Sequence, residues 1–292
     1  MRLQRFLSRF LLLTAAALAA HQATATVTSA QVYVDLGTGD TVLSNSVAGG
    51  REGVAISVDQ GLIAHAEAAG YAGGLKVASV AHDGATAQAD AGAAWADTFA
   101  VRAFGYSSGT RGTFSAAVAV QGGLRAEFTG RTYADAYVVA NFSIDTGIDN
   151  GHLAAQGGGR RSAGYDTGSS SSGQESFLLY FDNVPFAFDE DIGTSLALRT
   201  VAGIIGDGTG SSYASAEYGH TMTWAGLSNV RDSSGRLVTE YSAVSADSGF
   251  NFAALAPVPE PESWALIAVG MFLVTCRLRQ RQDSRARTRG IG

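Results

Sequence analysis

Apolar and polar positions alternate with a period of two through most of residues 26–255. The alternation is clearest in Thr113–Gln121, Leu124–Thr129, Thr132–Asp145, Glu175–Asp182, Ser195–Ala202, Ala214–Trp224 and Leu237–Ser245. In an extended chain successive side chains point to opposite faces, so each run predicts a strand with one buried and one wet face. Turn-forming residues punctuate the runs: Gly122-Gly123, Asp149-Asn150-Gly151, Gly206-Asp207-Gly208 and Asp232-Ser233-Ser234-Gly235. The stretch Ala85–Ala103 is rich in alanine, a good helix former. Its alanines nevertheless alternate evenly with Thr, Gln and Asp, a period of two rather than 3.6, which favours a strand. Many short strands with turn signals between them predict an all-β fold, an antiparallel β-sandwich of jelly-roll-like form. The length admits one large domain or two small ones. Gly157–Gly173 (Gly-Gly-Gly-Arg-Arg-Ser-Ala-Gly-Tyr-Asp-Thr-Gly-Ser-Ser-Ser-Ser-Gly) has too few apolar side chains for a core and reads as a long loop or a linker. The loop is favoured, since each half would be small for a sandwich without disulfides. No repeat of fixed period stands out.

The two ends depart from this pattern. Arg2, Arg5 and Arg9 precede an apolar run of 11 residues, Phe10–Ala20, and Ala23-Thr24-Ala25 follows with small residues at Ala23 and Ala25. That order predicts a secretory signal peptide over residues 1–25, with the mature chain starting at Thr26. An uncleaved N-terminal anchor is the alternative. At the other end Pro259 and Pro261 fix their own φ and bias the residues before them towards extended backbone. Glu260 and Glu262 keep this segment in water. A 13-residue apolar run, Trp264–Cys276, comes next; as a helix it would extend about 20 Å. A bilayer core is about 30 Å thick, so the run makes a short transmembrane helix, lengthened by snorkelling arginines. Arg277, Arg279, Arg281, Arg285, Arg287 and Arg289 then form a basic stop against one acid, Asp283.

This C-terminal order, Val258-Pro259-Glu260-Pro261, the hydrophobic stretch 264–276 and the basic residues from Arg277, resembles the PEP-CTERM sorting signal of Gram-negative bacteria. The resemblance covers about residues 256–292. It implies recognition of Pro259, Glu260 and Pro261 by a membrane-embedded exosortase, removal of the membrane segment, and transfer to the cell surface or extracellular matrix. A plain single-pass anchor behind a Pro-rich linker is the competing reading. The last part of the body (Glu217–Leu227, Asp232–Gly235, Ser248–Phe252) also looks like the final strands common in β-rich ectodomains that carry such tags.

The ends also change the meaning of the net charge of −6. Residues 26–276 hold 11 basic side chains against 25 acidic ones, a net of −14. An acidic body excludes the basic face that nucleic acid demands. The single cysteine, Cys276, lies in the apolar run, so no intramolecular disulfide can form. Lys76, the single lysine, has no evident role.

Candidate chemistry is sparse. His65, His82, His152 and His220 show no zinc-ligand spacing, so neither metal nor cofactor is expected. His65 and Glu67 should share a strand face as a solvated pair. No Gly-x-Ser-x-Gly elbow is present. Asp189-Glu190-Asp191 is the densest acidic cluster; it reads as a charged turn, with a glycosidase carboxylate or a Ca²⁺ loop as alternatives. Arg160-Arg161 reads as part of the solvated loop, with protease sensitivity as the sharper alternative. Asn141-Phe142-Ser143 matches a glycosylation sequon without consequence in a bacterial setting. Tyr133 and Tyr137 should share a face, as should Phe177 and Leu179, and Trp95 and Trp224 are either core or sugar-stacking platforms. The chain therefore reads as a non-catalytic, exported surface or matrix protein. It would pass the Sec translocon, be held in the membrane by its C-terminal helix and be processed by an exosortase. Association with exopolysaccharide in a biofilm follows from that route. A lectin-like carbohydrate-binding module is the first alternative, and a polysaccharide-active hydrolase the second.

Overall fold

The computed structural model describes residues 27–36, 41–49, 53–60, 63–82, 86–148, 152–164, 171–174, 176–206 and 210–254. The regular structure among them is strand, arranged in two antiparallel sheets. The first sheet runs in the order β10 (His152–Gly164), β9 (Tyr133–Asp145), β13 (Asp191–Ile205), β6 (Ala87–Arg102), β1 (Val27–Asp35) and β2 (Thr41–Gly49). A short β15 (Ser242–Val244) pairs with the far end of β6. The second sheet runs β11 (Ser171–Gln174), β8 (Gly123–Phe128), β14 (Ser212–Asp232), β5 (Gly74–His82), β4 (Ala64–Tyr71) and β3 (Val54–Asp59). Beyond β8, β7 (Arg111–Val120) pairs with the second half of β14, and β12 (Phe177–Ala187) pairs with β7. The sheets stack face to face, with β5 across β13 and β6, β4 across β6 and β1, and β8 across β9 and β10. The architecture is sandwich-like.

The alternation sets which face is buried. Along β9 every second residue is buried: Ala134, Ala136, Val138, Ala140, Phe142 and Ile144. β6 does the same with Ala87, Ala89, Ala91, Ala93 and Trp95, so residues 87–102 of the Ala85–Ala103 stretch are strand, as the period requires. Alanine offers little area per residue, and large rings gather at one end of the core to compensate. Trp95, Phe99, Phe142, Trp224 and Phe252 are each buried to within 2%. Phe99 stacks on Phe252 with ring centres 4.2 Å apart, and Trp224 meets Phe252 edge-on at 5.1 Å. A fully buried ring of this size contributes about 2–3 kcal/mol by area alone. A polar pair shares this interior: the Ser79 hydroxyl of β5 meets Thr200 Oγ1 of β13 at 2.9 Å.

The end of the body is a clip. β15 leads into a turn, and Phe252 returns to the core with its amide donating to Ala243 O at 2.7 Å. The Phe252 carbonyl accepts from the Leu227 amide at 3.2 Å and from Trp224 Nε1 at 2.9 Å. Buried Asp97 secures the turn by accepting from the Ser245 hydroxyl at 2.8 Å and from Ser248 Oγ. Phe250 covers Gly73 in the β4–β5 turn. Gly73 has φ of +77°, and a Cβ there would lie 2.3 Å from the Phe250 ring, so glycine is required twice over. Of the stretches expected as final strands, Glu217–Leu227 lies within β14, Leu237–Ser245 holds only the three-residue β15, and Ser248–Phe252 is a hydrogen-bonded turn.

One expectation is corrected. Residues 157–164 of the supposed Gly157–Gly173 loop belong to β10, which pairs with β9 over 13 residues, and 171–173 belong to β11. Glycine is extended there because neighbours come close. A Cβ on Gly157 would lie 2.5 Å from the Phe177 ring, and one on Gly158 would lie 2.5 Å from Val138 O. Arg160 and Arg161 are accordingly strand residues. The body is one compact unit that ends at Ala256, and a second unit, Pro257–Gly292, follows in the chain.

Candidate functional site

The outward face of the first sheet gathers the chemistry that the core does not use. On β13 the alternation buries Thr194, Leu196, Leu198, Thr200 and Ala202, and leaves Gly193, Ser195, Ala197, Arg199 and Gly203 facing out. The register aligns Tyr33 with Asp90, Asp90 with Val201, Val201 with Tyr137, and Tyr137 with Arg160. A single line of side chains therefore crosses β1, β6, β13, β9 and β10. Neighbouring strands lie about 4.8 Å apart, so Tyr33 and Tyr137 stand about 14 Å from each other.

Between the two tyrosines lies an ion pair. Arg199 Nε donates to Asp90 Oδ1 at 3.0 Å, and Arg199 Nη2 donates to Asp90 Oδ2. Their side chains are only 18% and 13% exposed, low for charged groups on the outside of a sheet. Burial alone would lower the Arg199 guanidinium; the bonds to Asp90 and its charge outweigh this and raise it. The Arg199 guanidinium therefore stays charged. A second fork lies beside it: Arg160 Nε and Nη2 both donate to Asp135 at 2.8 Å. Tyr33 donates to Asp35 Oδ2 at 3.0 Å, and burial pushes the Tyr137 hydroxyl above its ordinary value, so it remains a neutral donor. Ser143 and Ser195 face each other at 2.6 Å further along. Low ground borders the line of side chains: Gly203 on one side, and Gly92, Ala94 and Ala197 on the other.

Tyr133 and Tyr137 share this outward face, as their spacing requires. Phe177 and Leu179 share the opposite, inward side of β12 near Gly157. Trp95 and Trp224 are core, at 1% and 0% exposure, which removes them as sugar platforms. His65 and Glu67 form the expected open pair on β4, 3.7 Å apart. His82 and His152 lie at opposite ends of different strands, and no group of three or more His, Cys, Asp or Glu could hold a metal among the described residues. In the acidic cluster Asp189 accepts from Arg102 at 2.6 Å and Glu190 accepts from Ser108 at 2.7 Å, which makes it a structured charged turn between β12 and β13. Asp232 organises another turn. The Ser234 hydroxyl, the Arg236 amide and Tyr106 donate to it and hold its carboxyl well below the usual range.

The sequence reading did not single out Asp90 and Arg199. One signal was present: Arg199 is the lone basic residue between 162 and 230, set in an otherwise apolar alternation. The residues of the two terminal labels, Ala23, Ala25, Val258, Pro259, Glu260, Pro261, Arg277, Arg279 and Arg281, lie outside the described residues, as do Cys276 and the run 264–276. Compared with models of protein families, with curated proteins and with solved structures, the chain gives no match in any of the three.

Proposed function

We propose that the protein is an exported, non-catalytic component of the cell surface or extracellular matrix, sorted and processed by an exosortase and associated with exopolysaccharide. The observation that carries this reading is the order of parts at the C-terminus: Pro-Glu-Pro at 259–261, a short apolar run and a basic stop. The body supports it in a second way. Its last core residue is Phe252 and its compact unit ends at Ala256, so the motif begins just past a finished fold. The N-terminal leader with Ala23 and Ala25 agrees with entry through the Sec translocon. At the finer level of fold we read the two stacked sheets as jelly-roll-like, because many connections pass from one sheet to the other.

The lectin-like alternative gains support from the tyrosine and ion-pair face of the first sheet. A hydrolase gains none, since the densest carboxylates are engaged by Arg102 and Ser108. Replacing Pro259 and Pro261 by alanine together tests the sorting reading. The expected outcome is retention of the variant in the membrane fraction at full length, while the wild-type chain leaves it. Equal release of both proteins would contradict an exosortase-read motif.

A further inference from the structure

We infer that the outward face of the first sheet binds a neutral, linear polysaccharide, laid along β6 and β13 and held between Tyr33 and Tyr137. This rests on the reading of the protein as exopolysaccharide-associated and names the site and the ligand class.

The glycines of the face are the first reason. Gly203 and Gly193 sit inside a 15-residue strand whose pairings with β6 and β9 show no register shift. A Cβ at Gly203 would meet nothing nearer than 3.9 Å, and one at Gly193 nothing nearer than 3.7 Å. Gly112, Gly122 and Gly157 differ, for a Cβ at each would lie within 2.5 Å of a neighbour. Packing therefore explains those three and leaves Gly203 and Gly193 unexplained. Glycine in a strand interior weakens the strand; without a bulge it marks a place where another molecule comes close to the backbone.

The second reason is the chemistry around that low ground. Arg199–Asp90 and Arg160–Asp135 are mutually compensated forks that hold donors and acceptors in fixed positions. A sugar hydroxyl is both donor and acceptor, and such a fork offers partners for both roles. Tyr33 and Tyr137, both half-buried on this face, add aromatic rings with a polar tip, the side-chain type on which the C–H side of a pyranose rests. Charge selects among polysaccharides. The two forks cancel internally, Asp35 and Asp145 add negative charge to the same face, and residues 26–256 carry 11 basic against 23 acidic side chains, a net of −12. A polyanion would be repelled.

Affinity electrophoresis of the full chain, kept in a polyoxyethylene detergent that contains no sugar, tests the inference. The probes are hydroxyethyl cellulose, galactomannan, xyloglucan and laminarin as neutral polymers, and alginate and polygalacturonate as anionic ones. At least one neutral polymer should retard the wild type, and neither anionic polymer should. Tyr137→Ala and Gly203→Gln should each weaken that retardation at least tenfold. Tyr180→Ala, on the edge of the second sheet, should leave it unchanged, with circular dichroism confirming a folded chain in every case. Lack of retardation by all four neutral polymers would overturn the inference, as would retention by anionic polymers alone, or retardation that survives both Tyr137→Ala and Gly203→Gln. Failure here leaves the sorting reading intact, because that reading is decided by processing at the C-terminus.

Discussion

Two buried tryptophans in the aromatic end of the core differ in one atom's surroundings. Trp224 Nε1 donates to the Phe252 carbonyl at 2.9 Å, whereas Trp95 Nε1 is buried with no partner among the described residues. Substitution by phenylalanine removes a bond in one case and an unsatisfied donor in the other. Trp224→Phe should cost about 1–3 kcal/mol more than Trp95→Phe, because it also leaves the buried Phe252 carbonyl one donor short. Urea unfolding of the two variants measures the difference; equal losses would mean that the bond contributes nothing. At this scale the sequence was legible only in part. A tryptophan in an alternating run announces burial, but which nitrogen finds a carbonyl depends on Phe252 returning from far along the chain. The same holds for Arg199 and Asp90, which lie 109 residues apart and meet only because β13 pairs with β6.

At the scale of elements the period of two was a dependable guide from Thr113 to Trp224, and it overextended at Leu237–Ser245, where only Ser242–Val244 is strand. It was right for Ala85–Ala103 against alanine's helical preference, because tertiary pairing with β1 and β13 outweighs a propensity difference of less than about 1 kcal/mol per residue. Composition misleads at residues 157–164 and 171–173, where glycine and serine suggest a loop and the chain is strand. A strand at a sheet edge needs only one row of partners, and glycine there admits the Phe177 ring and the Val138 carbonyl. The two kinds of glycine should respond in opposite ways. Gly157→Val should destabilise by about 1–3 kcal/mol through overpacking. Gly203→Ala should be neutral or stabilising by up to about 1 kcal/mol, since its Cβ enters open space and restricts the unfolded chain. Thermal unfolding followed by circular dichroism reads both, and a loss of equal size at Gly203 would refute the claim that packing does not require that glycine.

At the scale of the whole molecule, two stacked sheets are closed by the clip at 242–254, and the proposed signal segments precede and follow this body in sequence. The clip places Phe252 against Trp95, Phe99 and Trp224, so the aromatic core is completed by the last described stretch of the body. The proposed terminal signals rest on sequence alone, because each is a local order of charge, hydrophobicity and proline, and their residues lie outside those the structure describes. The binding face was not legible in the sequence, because it is assembled from strands distant along the chain. Intact mass with terminal sequencing of the protein recovered from the cell surface or the medium tests the account most directly. A chain beginning at Thr26 and ending near Pro259–Glu262 is the predicted result. Recovery of a chain that still carries Trp264–Gly292 would contradict exosortase processing and leave a membrane-anchored ectodomain in its place.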